Sequence, residues 1–383
     1  MKVNYLEIYD PNRVRIGILD AYTSIIWKTE YYGAGQFEIY APLNDENLKN
    51  LAIGNFVART GDPVVGLIEA YETTWTPQEG RMLIVTGRMA KCLLDRRIIM
   101  RLSGEGTALR NYPTELTGDV EQACRTLFSN NIISSMHTAR NIPFLKLGYT
   151  SGKTHAIVDD SGNPASKQVT WDNLLEYTDS LLEEYQMGSL IRLADDKNLY
   201  IDTYEGVDLS VDNPNNIQPI IFSQKFDNLL SSDWLVNLQT QKNVAIIAGE
   251  GEGAERMCQA INHTVVAGIG RKEMYVDASS LSKTYKNDGD EEEKTYADAV
   301  YASMLRCQGK QELSALTYGE RVLKGSTDLT NSTLSFGLNA DYYVGDRVTF
   351  ADDDLDLYSN VRILSATEVQ DENGYSIDVE FGG

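Results

Sequence analysis

From the N-terminus to about residue 98, apolar and polar side chains alternate in short runs, the period of half-buried strands. Tyr5 to Tyr9, Arg13 to Leu19, Ser24 to Trp27, Phe37 to Tyr40, Asn55 to Arg59, Val64 to Thr74 and Met82 to Thr86 are rich in Val, Ile, Tyr and Thr. Pro11-Asn12, Gly33-Ala34-Gly35, Gly61-Asp62-Pro63 and Glu79-Gly80 separate them, so the spacing predicts consecutive antiparallel strands. Short helices are predicted near Asn44 to Leu51 and Arg88 to Leu94.

Between about residues 99 and 200 the period lengthens to that of a helix. Val120, Ala123, Cys124, Leu127 and Phe128 form one apolar stripe, with Asp119 at the positive end and Cys124 as a core thiol. A second stripe, Trp171 to Tyr185, carries Thr170 as expected N-cap and Gly188 as expected stop. The polar stretch Ser151 to Lys167 reads as a long loop, and Leu190 to Leu193 with Leu199 to Tyr204 as a hairpin. Strand patterning returns at Pro219 to Ser223, Trp234 to Thr240 and Asn243 to Ala248. A charge-rich stretch, Asp288 to Glu293, precedes a helix over about Thr295 to Leu316, whose buried face is expected to include Ala299, Val300, Ala302, Met304, Leu305 and Leu313. Ser332 to Phe336, Arg347 to Phe350, Val361 to Val369 and Tyr375 to Phe381 close the chain as strands, with Asn373-Gly374 as a hairpin signal. The order β, α/β, β, α, β reads as two β units, each carrying an insertion.

Composition adds limits. With 383 residues, 42% hydrophobic and 23% charged, the chain has ordinary globular chemistry and enough length for two or three folded units. The best apolar run, Val244 to Ala248, is five residues long, far short of a membrane span. Glu7, Asp10 and Arg13 interrupt the start, so no signal-peptide core is expected and synthesis is expected in the cytoplasm. Net charge is -22: residues 1–200 hold 20 basic and 25 acidic side chains, residues 201–383 hold 14 and 31. Such a chain is poorly suited to gripping DNA phosphates. Against that background Arg81, Arg88, Lys91, Arg96, Arg97, Arg101 and Arg110 outnumber Asp95 and Glu105, a local basic segment suited to an acidic protein neighbour.

Each motif with chemical potential lacks a necessary part. Gly249-Glu250-Gly251-Glu252-Gly253-Ala254 fits a dinucleotide fingerprint in spacing, with Asp277 downstream, but Glu250 and Glu252 would face the pyrophosphate. His155 and Asp159 have a zinc-peptidase spacing, yet His263 stands apart and no third ligand is evident. Cys92, Cys258 and Cys307 have no marked partner histidine. Asp352, Asp354 and Asp356 match the start of a calcium loop, with Leu357 where glycine is required and Ile363 where the bidentate Glu belongs. No pair of the 56 carboxylates stands out for glycoside hydrolysis. No cofactor, metal or catalytic residue is therefore expected.

In chain order, several stretches resemble the tail hub (baseplate hub or tail-associated structural protein) family of long-tailed phages and prophages. They are Trp27 to Glu38, Thr86 to Arg88 with Leu94 to Ile98, Tyr204 to Asp208, Phe222 to Asp233, Gly249 to Arg256, Gly270 to Asp277 and Tyr343 to Val348. The resemblance implies an α+β, mainly β fold: two tail-tube-like antiparallel β-barrel domains with inserted α/β and helical domains. The expected boundaries are 1–98 for the first tube-like domain and 99–205 for the α/β insertion. Residues 206–269 with 331–383 would form the second tube-like domain, and 270–330 the helical insertion.

It further implies a non-enzymatic hub, a homotrimeric ring ending the tail tube. The partners implied are the distal tail protein, the tape measure protein and tail-tip or receptor-binding proteins, with DNA only passing through the lumen. Relatives that continue into a lytic or receptor-binding region differ from this chain, which ends at Gly383 after its last expected strand. A peptidoglycan-degrading tail enzyme and a host-saccharide receptor-binding module are the alternatives. Expected assembly contacts are Arg88, Arg96 and Arg97 of the basic segment, Asp227, Asn228 and Asp233 of the second β unit, and Gly249, Gly251 and Gly253 of the glycine loop.

Overall fold

A computed structural model describes residues 5–78, 80–103, 110–286, 292–327 and 336–382. Glu79, Glu105, the 288–291 part of the charge-rich stretch and the 332–335 part of an expected strand lie outside the described residues.

The first β unit comprises β1 (Leu6–Tyr9), β2 (Arg15–Leu19), β3 (Ser24–Glu30), β4 (Gln36–Pro42), β5 (Phe56–Arg59), β6 (Val65–Thr76) and β7 (Gly80–Met89). Helix α1 (Asp45–Asn50) sits between β4 and β5, capped by the Asn44 side chain, which accepts from the Asn47 amide at 2.7 Å. Every strand expected from alternation is present. The second expected helix is shorter: α2 spans only Cys92–Asp95, because Arg88 and Met89 still pair with β4 and β6.

In the α/β region, α3 (Val120–Phe128) begins at Asp119, which accepts from the Gln122 amide at 2.9 Å. Cys124 is fully buried on its inner stripe. Helix α4 (Leu174–Glu184) starts later than expected. Trp171 takes a left-handed φ of 68° and stays 55% exposed, so the cap is Asn173, bonded to the amides of Leu175 and Glu176. Gly188 does not stop this helix; it opens β8 (Gly188–Leu193), which pairs with β9 (Leu199–Tyr204) as the expected hairpin. Lys167 is buried at the start of a short strand, Lys167–Val169, and not in the loop.

The second half holds β10 (Ile221–Ser223), β11 (Ser231–Asn237), β12 (Val244–Ala248), β13 (Cys258–Ile261), β14 (Glu273–Asp277), α5 (Asp298–Thr317), β15 (Glu320–Thr327), β16 (Arg347–Asp352), β17 (Leu357–Asp371) and β18 (Gly374–Gly382). Strands β12, β13 and β14 form a small separate sheet covered by α5, with Ala245, Ile247, Ile261, Tyr301, Met304 and Leu305 in its core. Ala299 and Val300, expected on the buried face of α5, are exposed; Tyr301, Cys307 and Gln311 are buried instead. The final hairpin turns through Glu372 and Asn373, and Gly374 is its first returning residue.

A large, mainly antiparallel sheet of 13 strands spans both halves. The first unit has the order β3-β4-β7-β6-β5-β1-β2, the second β11-β15-β18-β17-β16-β10, and β3 pairs with β17 to join them. Five strands of each unit therefore repeat one arrangement. The mainly β reading holds. Among the described residues the pairing order branches at β17 and ends at β11, β2 and β10, and no hydrogen-bonded ring closes either unit into a barrel.

Candidate functional site

Three of the stretches that carry the hub resemblance meet at one place. Tyr31, fully buried, donates its hydroxyl toward the carbonyls of Gln186 and Tyr204, and its ring stands edge-on to Tyr204 at 5.2 Å between centroids. Tyr204 in turn donates to the Val344 carbonyl at 3.1 Å. Asp346 accepts from the Val207 amide at 2.7 Å and the Tyr343 amide at 2.8 Å. Arg362 lies over Tyr31 and donates to the Gly345 carbonyl. Burial pushes the Tyr31 hydroxyl up to about 12, so it remains a neutral donor. Glycine is required here by contact: a Cβ on Gly206 would stand 1.8 Å from the Gly345 carbonyl oxygen. These motifs thus weld the first β unit, the α/β region and the second β unit together, around a cavity of about 250 Å³ lined by Lys91, Ser189 and Tyr343 among others.

A second weld is ionic. Lys91 and Asp179, both buried, lie 2.6 Å apart, and Asp179 also accepts from the Gly33 amide. Between the α/β region and α5, Lys167 and Lys310 flank Glu184 at 3.1 and 3.2 Å, and Lys167 also donates to Gln311. Arg306 forks onto Asp160.

Arg88, Arg96 and Arg97 lie close in sequence but are not equally free. Arg88 bonds Glu69 and Asp95, each at 2.7 Å, and Arg96 reaches Glu69 at 2.8 Å. Arg97 donates to the carbonyls of Arg140 and Arg96. With Lys91 buried as well, much of the local positive charge is neutralised within the chain. The Arg88 and Arg96 hydrogen bonds hold the Glu69 carboxyl below its usual range. A depressed folded value stabilises above the unfolded one, about 4.3, and the gain is lost as pH falls through the folded value. Denaturation midpoints should therefore fall less steeply with acidification in Glu69→Gln than in the native chain; an identical slope contradicts this assignment.

The other expected contacts lie elsewhere. Asn228 is buried: it accepts from the Ser223 amide at 2.8 Å and donates to the Ile221 carbonyl at 2.7 Å, clamping the turn in which Asp227 takes a φ of 52°. Asp233 is exposed on edge strand β11. In the glycine loop, Gly249 touches Tyr301, Gly251 has a φ of 111° and Gly253 is exposed with a φ of 55°. Arg256 braces this loop through the carbonyls of Ala248 and Gly249 and the Asp277 carboxylate. A three-residue 3-10 turn and then β13 follow the loop, so no helix N-terminus faces it as a dinucleotide site requires.

His155 lies beside Glu205 and Tyr185. Among the described residues no three His, Cys, Asp or Glu side chains group to hold a metal. Asp352 is buried and spends its Oδ1 on the amides of Asp354 and Leu355. Burial pushes the Cys92 thiol up to about 12 and raises Cys124 and Cys307 as well, which disfavours thiolate at these positions.

Two solved structures share this architecture over nearly their whole length. One is the tail protein from Neisseria meningitidis MC58, with a TM-score of 0.55, 11% identity, and coverage of 99% of this chain and 96% of that one. The other is the prophage MuSo2 43 kDa tail protein from Shewanella oneidensis, with a TM-score of 0.56, 9% identity and 98% coverage of each chain. The fold is thus one used by phage and prophage tail proteins. The chain belongs to the siphovirus ReqiPepy6 Gp37-like protein family, whose model matches residues 5–383. Comparison with curated proteins gives no significant match.

Proposed function

We propose that this chain is a non-enzymatic hub: three copies form a ring that ends the tail tube and joins the distal tail protein to the tip. The observation that supports the reading is the strand order repeated in the two β units of one chain. Three such chains supply six units, matching a sixfold tube above and a threefold tip below. In this reading the main-sheet strands form the tube-like part. The α/β region and the sheet covered by α5 form the outer insertions. The tape measure protein and tail-tip or receptor-binding proteins are the remaining partners, and DNA passes through the lumen without being held, in keeping with a net charge of -22 per chain.

Arg96, exposed beside Glu69, and Arg97, half-buried, are proposed to face a neighbouring tail component. Reversing both to Glu is expected to weaken assembly into tails, while the monomer, less stable for losing the Arg96–Glu69 contact, still folds. Antibody labelling of particles should place the native chain at the tail tip, and the reversed variant should be depleted there. Label along the tube or absent from tails, or normal incorporation of the variant, contradicts the respective assignment.

A further inference from the structure

The two β units can be aligned residue by residue from their irregularities. Strand β6 slips register between Ile68 and Ala70 against β7, and β17 slips between Ile363 and Ser365 against β18, so Glu69 corresponds to Leu364. Beyond the slip, Ala70 to Thr76 pairs with Thr86 to Gly80, as Ser365 to Asp371 pairs with Glu380 to Gly374. On the other side, Gly87 opposes Phe37 and Phe37 opposes Trp27, while Phe381 opposes Leu323 and Leu323 opposes Trp234. Trp234 of β11 is therefore the counterpart of Trp27 of β3.

The joint between the units lies on these same elements. Strand β3 adds to the free edge of β17 beyond its slip, with Trp27 opposite Glu368, Thr29 opposite Ala366 and Ile25 opposite Gln370. That joint is dry: Trp27, Ile25 and Ala366 are 0–1% exposed, and Glu368 and Gln370 are buried.

Among the described residues the counterpart joint is empty. Among the described residues strand β5 pairs with only Val65, Gly66 and Leu67 of β6, and no strand pairs with that edge over Ala70–Trp75. Among the described residues strand β11 pairs only with β15 and ends the sheet. Both unfilled edges carry exposed apolar side chains: Tyr71 49% and Trp75 64% on one, Trp234 39%, Leu235 46% and Val236 45% on the other. Exposed apolar edges of this kind are templates for strand addition.

We infer that β11 of one copy adds antiparallel to the Ala70–Trp75 edge of a second copy, repeating between chains the joint that β3 and β17 make within one. The register follows from the repeat: Val236 opposite Tyr71, Trp234 opposite Thr73 and Ser232 opposite Trp75. Tyr71, Thr73 and Trp75 then share a face with Trp234 and Val236, as Ala366, Glu368 and Gln370 share one with Trp27 and Ile25. The contact is head-to-tail, so it makes a closed ring when the rotation between copies closes. This inference rests on the ring reading above and names the surfaces that form it.

The test places one cysteine on each edge of the full chain, Tyr71→Cys with Val236→Cys, in a background where exposed Cys258 is serine. Directly opposed strand residues lie within disulfide reach. Mild oxidation should give interchain species on a non-reducing gel, while Glu72→Cys with Val236→Cys, one residue out of register, should give several-fold less. Trp234→Lys, at a position exposed in the single chain, should abolish the trimer without lowering monomer stability. A trimer that forms without the Tyr71–Val236 cross-link, or survives Trp234→Lys, overturns the strand pairing and leaves the ring standing. A chain that stays monomeric even within assembled tails overturns both.

Discussion

Replacing Glu184 by alanine is expected to lower stability by about 3–5 kcal/mol, the usual penalty for removing one partner of a buried ion pair. The Glu184 side chain is 2% exposed and is the carboxylate facing both Lys167, whose side chain is wholly buried, and Lys310. Among the described residues its loss leaves the Lys167 ammonium in the interior with neutral acceptors only, the Gln311 amide oxygen and the Cys307 carbonyl. The measurement is the urea midpoint at neutral pH. Because this cluster ties α4 to α5, the variant should also expose α5 to proteolysis before the main sheet unfolds. A change under about 1 kcal/mol would mean that the two lysines find other partners or water.

The second large effect separates two tryptophans. Trp27→Ala should cost about 3–5 kcal/mol, the range for deleting a buried aromatic from a core. Trp27 packs against Phe37 at 5.4 Å and under the Arg59 guanidinium at 4.6 Å, at the seam of the two units. Arg59 is itself held by Asp62 and Glu368, so losing the indole disturbs a buried ion cluster that bridges the seam. Trp234→Ala should cost under about 1 kcal/mol in the isolated chain, since that side chain already contacts solvent. Equal losses at the two positions would mean that Trp234 has a structural role inside the monomer.

The sequence was most legible where one face of a strand is buried and the other is wet. That holds for the first β unit, where alternation located every strand and Asn44 marked α1. It failed where tertiary contacts decide local structure. Thr170 and Asn173 are both competent caps, and only the left-handed Trp171 makes Asn173 the cap. Gly188 resembles a helix stop in sequence, yet it is glycine because Tyr31 passes so close that a Cβ would lie 2.3 Å from its ring. Strand β15 was hidden within a presumed helical insertion, since its inward positions include Gly325 and Thr327 as well as Leu323. On α5 the buried face is set by a sheet below it and polar partners beside it, so Gln311 is inside and Val300 outside. The basic segment was legible as charge, but its neutralisation by Glu69 was not, because Glu69 sits on a neighbouring strand outside the counted segment. The weld at Tyr31, Tyr204 and Asp346 came through only as separate motifs; no spacing rule brings together residues more than 300 apart.

The ring is tested most directly by native mass spectrometry of the full chain, alone and with the distal tail protein. The account predicts a species at three times 42.7 kDa, either free or in the complex with that partner. A chain that remains at one copy in both preparations contradicts it.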